Sequence, residues 1–167
     1  MVKKILIIRT LKTELLEDII TCLKEKLKND QLEIDLFTHP DQHTLSYLNN
    51  IFKNIITYDS KKDFSNKYIS QSKLKKLKDE KYDLIIIPQM FKGTNGFAEV
   101  IMLAYEFKPK DVAFIAINPL EIMFLKKNIK LAIKINKIFS ALIIIPLQIF
   151  FWVYFSFLFF VKKLNKN

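Results

Sequence analysis

Polar side chains that could bind a ligand recur directly after apolar, strand-length runs of this sequence. In chain order they are Arg9, Thr10, His39, Gln89 and Asn118. An arginine can bind a phosphate or a carboxylate through two N–H groups, and a histidine can donate or accept a proton near neutral pH. Because the ends of parallel strands meet at one edge of a sheet, these residues predict a ligand site there.

Two of these residues have an alternative, purely structural interpretation. Arg9 could form a salt bridge with Glu14 or Asp59 instead of binding a ligand. His39 stands before a proline, so it could be a turn residue rather than a base or donor.

A glycine loop is the other candidate for binding. Gly93 and Gly96 are the only glycines, and they bracket a loop before a helical pattern whose first amides could bind an anion. The loop is neither the dinucleotide fingerprint nor a P-loop, and no glycine follows the first strand. No zinc spacing, metalloprotease motif or nucleophile triad is present, so neither a metal nor a cofactor is expected.

Hydrophobic periodicity predicts the elements that position these residues. Helical patterns, the first capped by Thr13, cover 13–28, 41–52, 68–80 and 97–107, and alternate with five strand-like runs: 4–9, 32–38, 54–58, 83–88 and 112–118. This alternation predicts an α/β, Rossmann-like domain over residues 1–118, with a five-stranded parallel sheet in the order 3-2-1-4-5.

The net charge of +10 is unevenly distributed along the chain. Residues 1–118 carry 19 Lys plus Arg against 16 Asp plus Glu, whereas residues 119–167 carry eight lysines and one glutamate. A basic excess beside an apolar segment favours anionic lipid headgroups as a partner and argues against nucleic acid.

The C-terminal part predicts a membrane anchor. Residues 138–161 are 24 residues without a charge, about 36 Å as a helix, enough to cross a hydrocarbon core of about 30 Å. Residues 119–137 predict an amphipathic helix at the membrane surface, and 162–167 a basic tail. One face of that helix would carry four lysines: Lys126, Lys130, Lys134 and Lys137.

Lysine distribution places the α/β domain in the cytoplasm, with a single-pass helix in the inner membrane. Three alternatives remain. Pro146 could kink the run into a re-entrant hairpin, the run could be covered by a partner protein, and the lysine-bearing helix could pack on the domain.

The order of segments resembles a known family. The runs KKILIIRT, LEIDLFTHP, FKNIITYDS and KYDLIIIPQ are similar to the N-terminal, acceptor-side domain of heptosyltransferase-like glycosyltransferases of the GT-B architecture. The resemblance covers about residues 2–118. It implies sugar transfer in the assembly of envelope glycans or glycolipids.

The chain departs from that family at its site. In that family a Gly-Asp pair follows the first strand, and its acidic residue acts as the base toward the acceptor sugar. The pair is missing here, so Glu14 or Asp18 would only approximate that role. His39 is a further catalytic candidate. Of the family's Asp-Leu-Gln at the fourth strand, only Gln89 matches.

Residues 119–167 also stand where the donor-binding domain would begin. The resemblance therefore implies a membrane-anchored acceptor-side subunit that needs a donor-binding partner. The alternatives are a non-catalytic membrane-tethered scaffold or regulatory protein, and a small self-sufficient enzyme acting on a phosphorylated membrane substrate.

Overall fold

The structure, a computed structural model, describes residues 4–29, 31–40, 48–60, 64–92, 96–126 and 128–164. Within these ranges the side chains of 66, 130, 136, 137, 139–141, 143 and 157–164 are outside the description. The chain forms two compact units, Met1–Lys127 and Asn128–Asn167.

The first unit is an α/β domain. Its strands are β1 (Lys4–Ile8), β2 (Glu33–Thr38), β3 (Asn54–Thr57), β4 (Leu84–Gln89), β5 (Asp111–Ile117) and β6 (Leu120–Phe124). Its described helices are α1 (Leu16–Leu27), α2 (Gln71–Asp79) and α3 (Ala98–Glu106), with short 3-10 turns at Thr13–Leu15 and Asn66–Tyr68. The predicted helix over 41–52 falls mostly outside the described residues.

The sheet has the order β3-β2-β1-β4-β5-β6. The first five strands are parallel, which confirms the α/β class and the predicted order 3-2-1-4-5. The predicted number of five is wrong, because β6 pairs antiparallel with β5 and makes a mixed, six-stranded sheet.

The sixth strand lies where the sequence predicted the start of an amphipathic helix. Asn118 and Pro119 form a two-residue turn, after which Leu120 pairs with Ile117 and Phe124 with Ala113. Ile122 packs against the domain core. Through this short hairpin, β6 covers the edge of β5, which would otherwise be open. These residues are spaced as in an amphipathic helix, but pairing with β5 makes them a strand.

Both faces of the central strands are buried, as their continuous apolar sequences predict. On one face, α1 packs against alternate residues of the strands, including Ile5, Ile7, Leu84 and Ile86. On the other face lie the intervening residues, and there Phe37 of β2 contacts the ring of Phe107 at 5.6 Å between centroids.

The start of α1 differs from its prediction. Thr13 does not cap the helix; it begins the 3-10 turn that precedes α1, and no side chain caps either element. The Thr13 hydroxyl accepts a hydrogen bond from Arg9 instead, at 2.9 Å. The Thr13 side chain therefore positions Arg9, a candidate ligand-binding residue, and does not cap α1.

A buried polar cluster lies toward the amino end of the sheet. Asp35 of β2 is only 1 % exposed, and its carboxylate accepts hydrogen bonds from the Tyr82 hydroxyl at 2.9 Å and the Asn54 amide at 2.8 Å. Burial, and then the nearby Asp35 charge, raises the pKa of Tyr82 well above its ordinary value.

We expect Tyr82→Phe to lower the free energy of unfolding by about 1–3 kcal/mol, because it leaves the buried Asp35 carboxylate one donor short. Urea unfolding in mild detergent measures the change. Tyr105→Phe is the matched control, since that hydroxyl makes only an exposed bond of 3.4 Å to the Lys126 carbonyl. Equal losses in the two variants would contradict this role of Tyr82.

The second unit contains one helix, α4 (Ile129–Leu164). It runs through Pro146 without the reversal that a re-entrant hairpin would need. Lys126 precedes α4, so the four lysines predicted on one helix face do not share one helix. Over the residues that the structure describes, no helix is both long and apolar enough to cross a membrane, so the predicted transmembrane helix at 138–161 lacks structural support.

Candidate ligand site at the carboxyl edge of the sheet

The candidate site lies where β1 and β4 stand side by side. The chain goes from β1 outward through β2 and β3, then returns to the other side of β1 for β4 and β5. At such a reversal the connections diverge and leave a crevice beyond the strand ends, where open α/β sheets bind their ligands. The Thr10 hydroxyl joins the two strands here by donating to the Pro88 carbonyl.

Among the residues that the structure describes, two cavities open at this edge, and Arg9 lines both. The large groove has a volume of about 1060 Å³ and is lined by residues 9–15 and Met90. The small cavity has a volume of about 410 Å³ and is lined by Arg9, Thr10, Leu11, His39, Phe64, Gly96, Phe97, Glu99 and Val100. Volumes of this order suit small molecules.

Arg9 is fixed at its backbone and through its guanidinium. Its N–H donates to the Phe37 carbonyl at 2.9 Å, which extends the β1–β2 pairing by one residue. Its Nη1 donates to the Thr13 hydroxyl at 2.9 Å. Among the described residues no carboxylate lies within 4 Å of the guanidinium, so neither expected salt bridge forms. Arg9 therefore keeps a charge that a ligand can neutralise.

Asp59, one of the two expected partners of Arg9, is engaged elsewhere. Its carboxylate pairs with Lys73 and accepts the backbone N–H of Ser70 at 2.8 Å, at the start of α2. The hydrogen bond from Lys73, and then the one from Ser70, lower the pKa of Asp59. This contact ties the end of β3 to α2.

The lowered pKa of Asp59 gives a pH-dependent contribution to stability. Because the pKa is lower in the folded state, the contribution is present above the unfolded value of about 3.9 and is lost as pH falls through the folded value. We expect Asp59→Asn to cost about 1 kcal/mol at pH 7 in denaturant unfolding, and this cost should vanish as pH falls through the lowered pKa of the folded state. The exposed Asp79, changed to Asn, serves as control; a penalty for Asp59→Asn that persists unchanged in acid would contradict the assignment.

The imidazole of His39 is held in one orientation. Its Nδ1 lies 2.7 Å from the Ser60 carbonyl oxygen, and its ring is 4.2 Å from Phe64 and 5.4 Å from Tyr58, between centroids. A carbonyl can only accept, so in this contact Nδ1 carries the proton. The neutral ring then has its lone pair on Nε2, where no described residue forms a hydrogen bond.

The other predicted site residues are only partly brought together. Gly96 lines the small cavity with a φ of 82°, a left-handed conformation that favours glycine. Gly93 lies outside the described residues. Asn118 sits in the β5–β6 turn, lines neither cavity, and donates its backbone N–H to the Met90 carbonyl at 3.0 Å.

Gln89 is buried at the end of β4. It is 1 % exposed, and neither atom of its side-chain amide has a hydrogen-bond partner among the described residues. Strand alternation places its side chain on the face opposite the α1 core, the same face as Phe114, on which Phe97 packs at 5.4 Å. An unpaired buried amide is costly, and Gln89 lines neither the large groove nor the small cavity.

The acidic candidates Glu14 and Asp18 lie apart from His39. Glu14 is exposed and lines the large groove, whereas Asp18 is exposed on α1 and lines neither cavity. Lys126 and Lys134 are exposed, and the side chains of Lys130 and Lys137 are outside the description.

Sequence reasoning missed two contributors to the site, Glu99 and Thr13. Glu99 lies in the first turn of α3, lines the small cavity, and accepts the Ser65 hydroxyl at 3.3 Å. In the sequence, the indication of this role was the position of Glu99 shortly after the glycine loop. Among the described residues no cluster of three or more metal-ligating side chains occurs.

Comparisons with family models, with curated proteins and with solved structures found no match to this chain.

Proposed function

We propose that this protein is the acceptor-side, glycosyltransferase-like component of a membrane-associated system that assembles envelope glycans or glycolipids. The observation that carries the proposal is the Arg9 guanidinium, which lies in a crevice at the reversal of strand order without a carboxylate partner among the described residues. A fixed, uncompensated cation in such a crevice favours a ligand with a phosphate or a carboxylate.

The choice of a glycosyltransferase-like role has its support in the sequence. The four segments that resemble the GT-B acceptor domain contribute β1 to β4, and Gln89 ends β4 where the family's glutamine stands. Neither acidic candidate from the sequence, Glu14 or Asp18, lines the small cavity that holds His39. A partner that binds the nucleotide-sugar donor would complete the reaction centre.

Attachment to the inner membrane, with the α/β unit on the cytoplasmic side, is the second part of the proposal. It rests on the uncharged sequence 138–161 as a whole, which includes side chains outside the description. The described side chains between 144 and 155 are exposed in every direction around α4, and helices that are apolar all round occur in membranes or in large cores. A tether would concentrate the crevice near a lipid-linked acceptor.

Purification of the full chain in mild detergent tests the need for a partner. We expect co-purification of a protein that binds a nucleotide sugar, and glycosyl transfer only when both are present. Recovery without such a partner, together with normal cellular function of Arg9→Ala, would contradict the proposal and favour the non-catalytic scaffold.

A further inference from the structure

We infer that the small cavity binds a hydroxylated anion of the sugar-phosphate class, with Arg9 on the anionic group and His39 and Glu99 on hydroxyl groups. This inference rests on the proposed function, because both use Arg9, and it goes further by naming the ligand chemistry and two more binding residues.

The lining of the cavity combines a cation with hydrogen-bond acceptors. Arg9 supplies N–H donors and a positive charge, while the Glu99 carboxylate and the Nε2 of neutral His39 supply acceptors. A bare phosphate would satisfy Arg9 but would bring fewer hydroxyl donors to His39 and Glu99. A molecule that carries both a phosphate and several hydroxyl groups satisfies the cation and the acceptors together.

The two accepting groups are positioned by the surrounding structure. The Ser60 carbonyl fixes the proton of His39 on Nδ1, and the ring lies against Phe64. The Ser65 hydroxyl donates to Glu99 Oε2 at 3.3 Å, and a carboxylate has further lone pairs for a ligand. Such prior positioning lowers the entropy lost when a ligand binds.

The remaining walls suit the ring of a small sugar. Phe64, Phe97 and Val100 give the cavity an apolar side, against which the C–H face of a sugar can pack. The volume of about 410 Å³ falls within the range of small-molecule sites, roughly 300–1000 Å³.

Calorimetric titration of the full-length protein in detergent, with inorganic phosphate and with glucose 6-phosphate, tests the inference. We expect glucose 6-phosphate to bind at least about tenfold more tightly than phosphate, since two added hydrogen bonds contribute roughly that much. His39→Asn keeps a donor for the Ser60 carbonyl and removes Nε2. This variant and Glu99→Gln should each reduce the preference several-fold and leave phosphate affinity unchanged or, for Glu99→Gln, improved.

The outcomes separate the inference from the proposed function. Phosphate binding that depends on Arg9, without preference for glucose 6-phosphate, would overturn the inference alone. No binding of either anion would overturn both. Asp79→Asn, at the exposed end of α2 and in the lining of neither cavity, is the matched control and should change neither affinity. Nitrogen NMR of the histidines should find His39 protonated at Nδ1 in the neutral form; the opposite tautomer would overturn its role as an acceptor.

Discussion

Arg9→Ala is expected to weaken binding of an anionic ligand by about 100-fold, with little change in stability. A bidentate, charge-assisted contact contributes about 1.5–3 kcal/mol per hydrogen bond, and this side chain is the only arginine of the chain. Because no described carboxylate pairs with Arg9, its removal leaves no buried charge without a partner. Titration with glucose 6-phosphate or inorganic phosphate measures the loss.

Two companion variants sharpen this result. Arg9→Lys keeps the charge but not the planar fork, so we expect it to recover part of the affinity, to within about tenfold of the original protein. Lys12→Ala removes an exposed cation that lines only the large groove and should have almost no effect on the small cavity. Losses of equal size for Lys12→Ala and Arg9→Ala would show that general surface charge, not the crevice, attracts the anion.

Deletion of residues 138–167 is expected to move the protein from the membrane fraction to the soluble fraction almost completely. Under the proposed membrane attachment, the 24 uncharged residues from 138 to 161 insert into the bilayer, whereas the lysines before them give only surface attraction. Carbonate extraction of cell membranes, followed by immunoblotting of both fractions, measures the distribution.

The matched control removes only the basic tail after Val161, which leaves the uncharged run intact. This shorter deletion should stay in the membrane after carbonate treatment. Extraction of the undeleted chain by carbonate would contradict the proposed anchor and would favour a helix covered by a partner protein. Release of the tail-deleted chain by high salt would instead assign the attachment to lysines alone.

The arrangement of β1 to β5 could be predicted because each central strand is a continuous apolar run that must be buried on both faces. The runs around Ile5 and Ile86, separated by helical patterns, permit few right-handed arrangements. The same reasoning placed Arg9, Thr10 and His39 at one edge, since that position depends only on where strands end.

The features that sequence reasoning missed depend on contacts between distant or competing segments. Leu120–Phe124 fits a helical period as well as a strand, and only pairing with β5 decides between them. Thr13 could cap a helix, yet its hydroxyl bonds to Arg9. Glu99 lines the small cavity because of the way α3 lies over the sheet, and hydrophobic spacing in the sequence does not specify that placement.

The proposed site requires the Arg9 guanidinium to bind the anionic group of the ligand. Because the chain has a single arginine, its side-chain Nε–Hε signal is unique in a proton–nitrogen correlation spectrum and needs no assignment by mutation. On titration with glucose 6-phosphate, we expect this signal to shift progressively and to saturate together with the calorimetric isotherm. Binding detected by calorimetry while the arginine signal stays unmoved would contradict this role of Arg9.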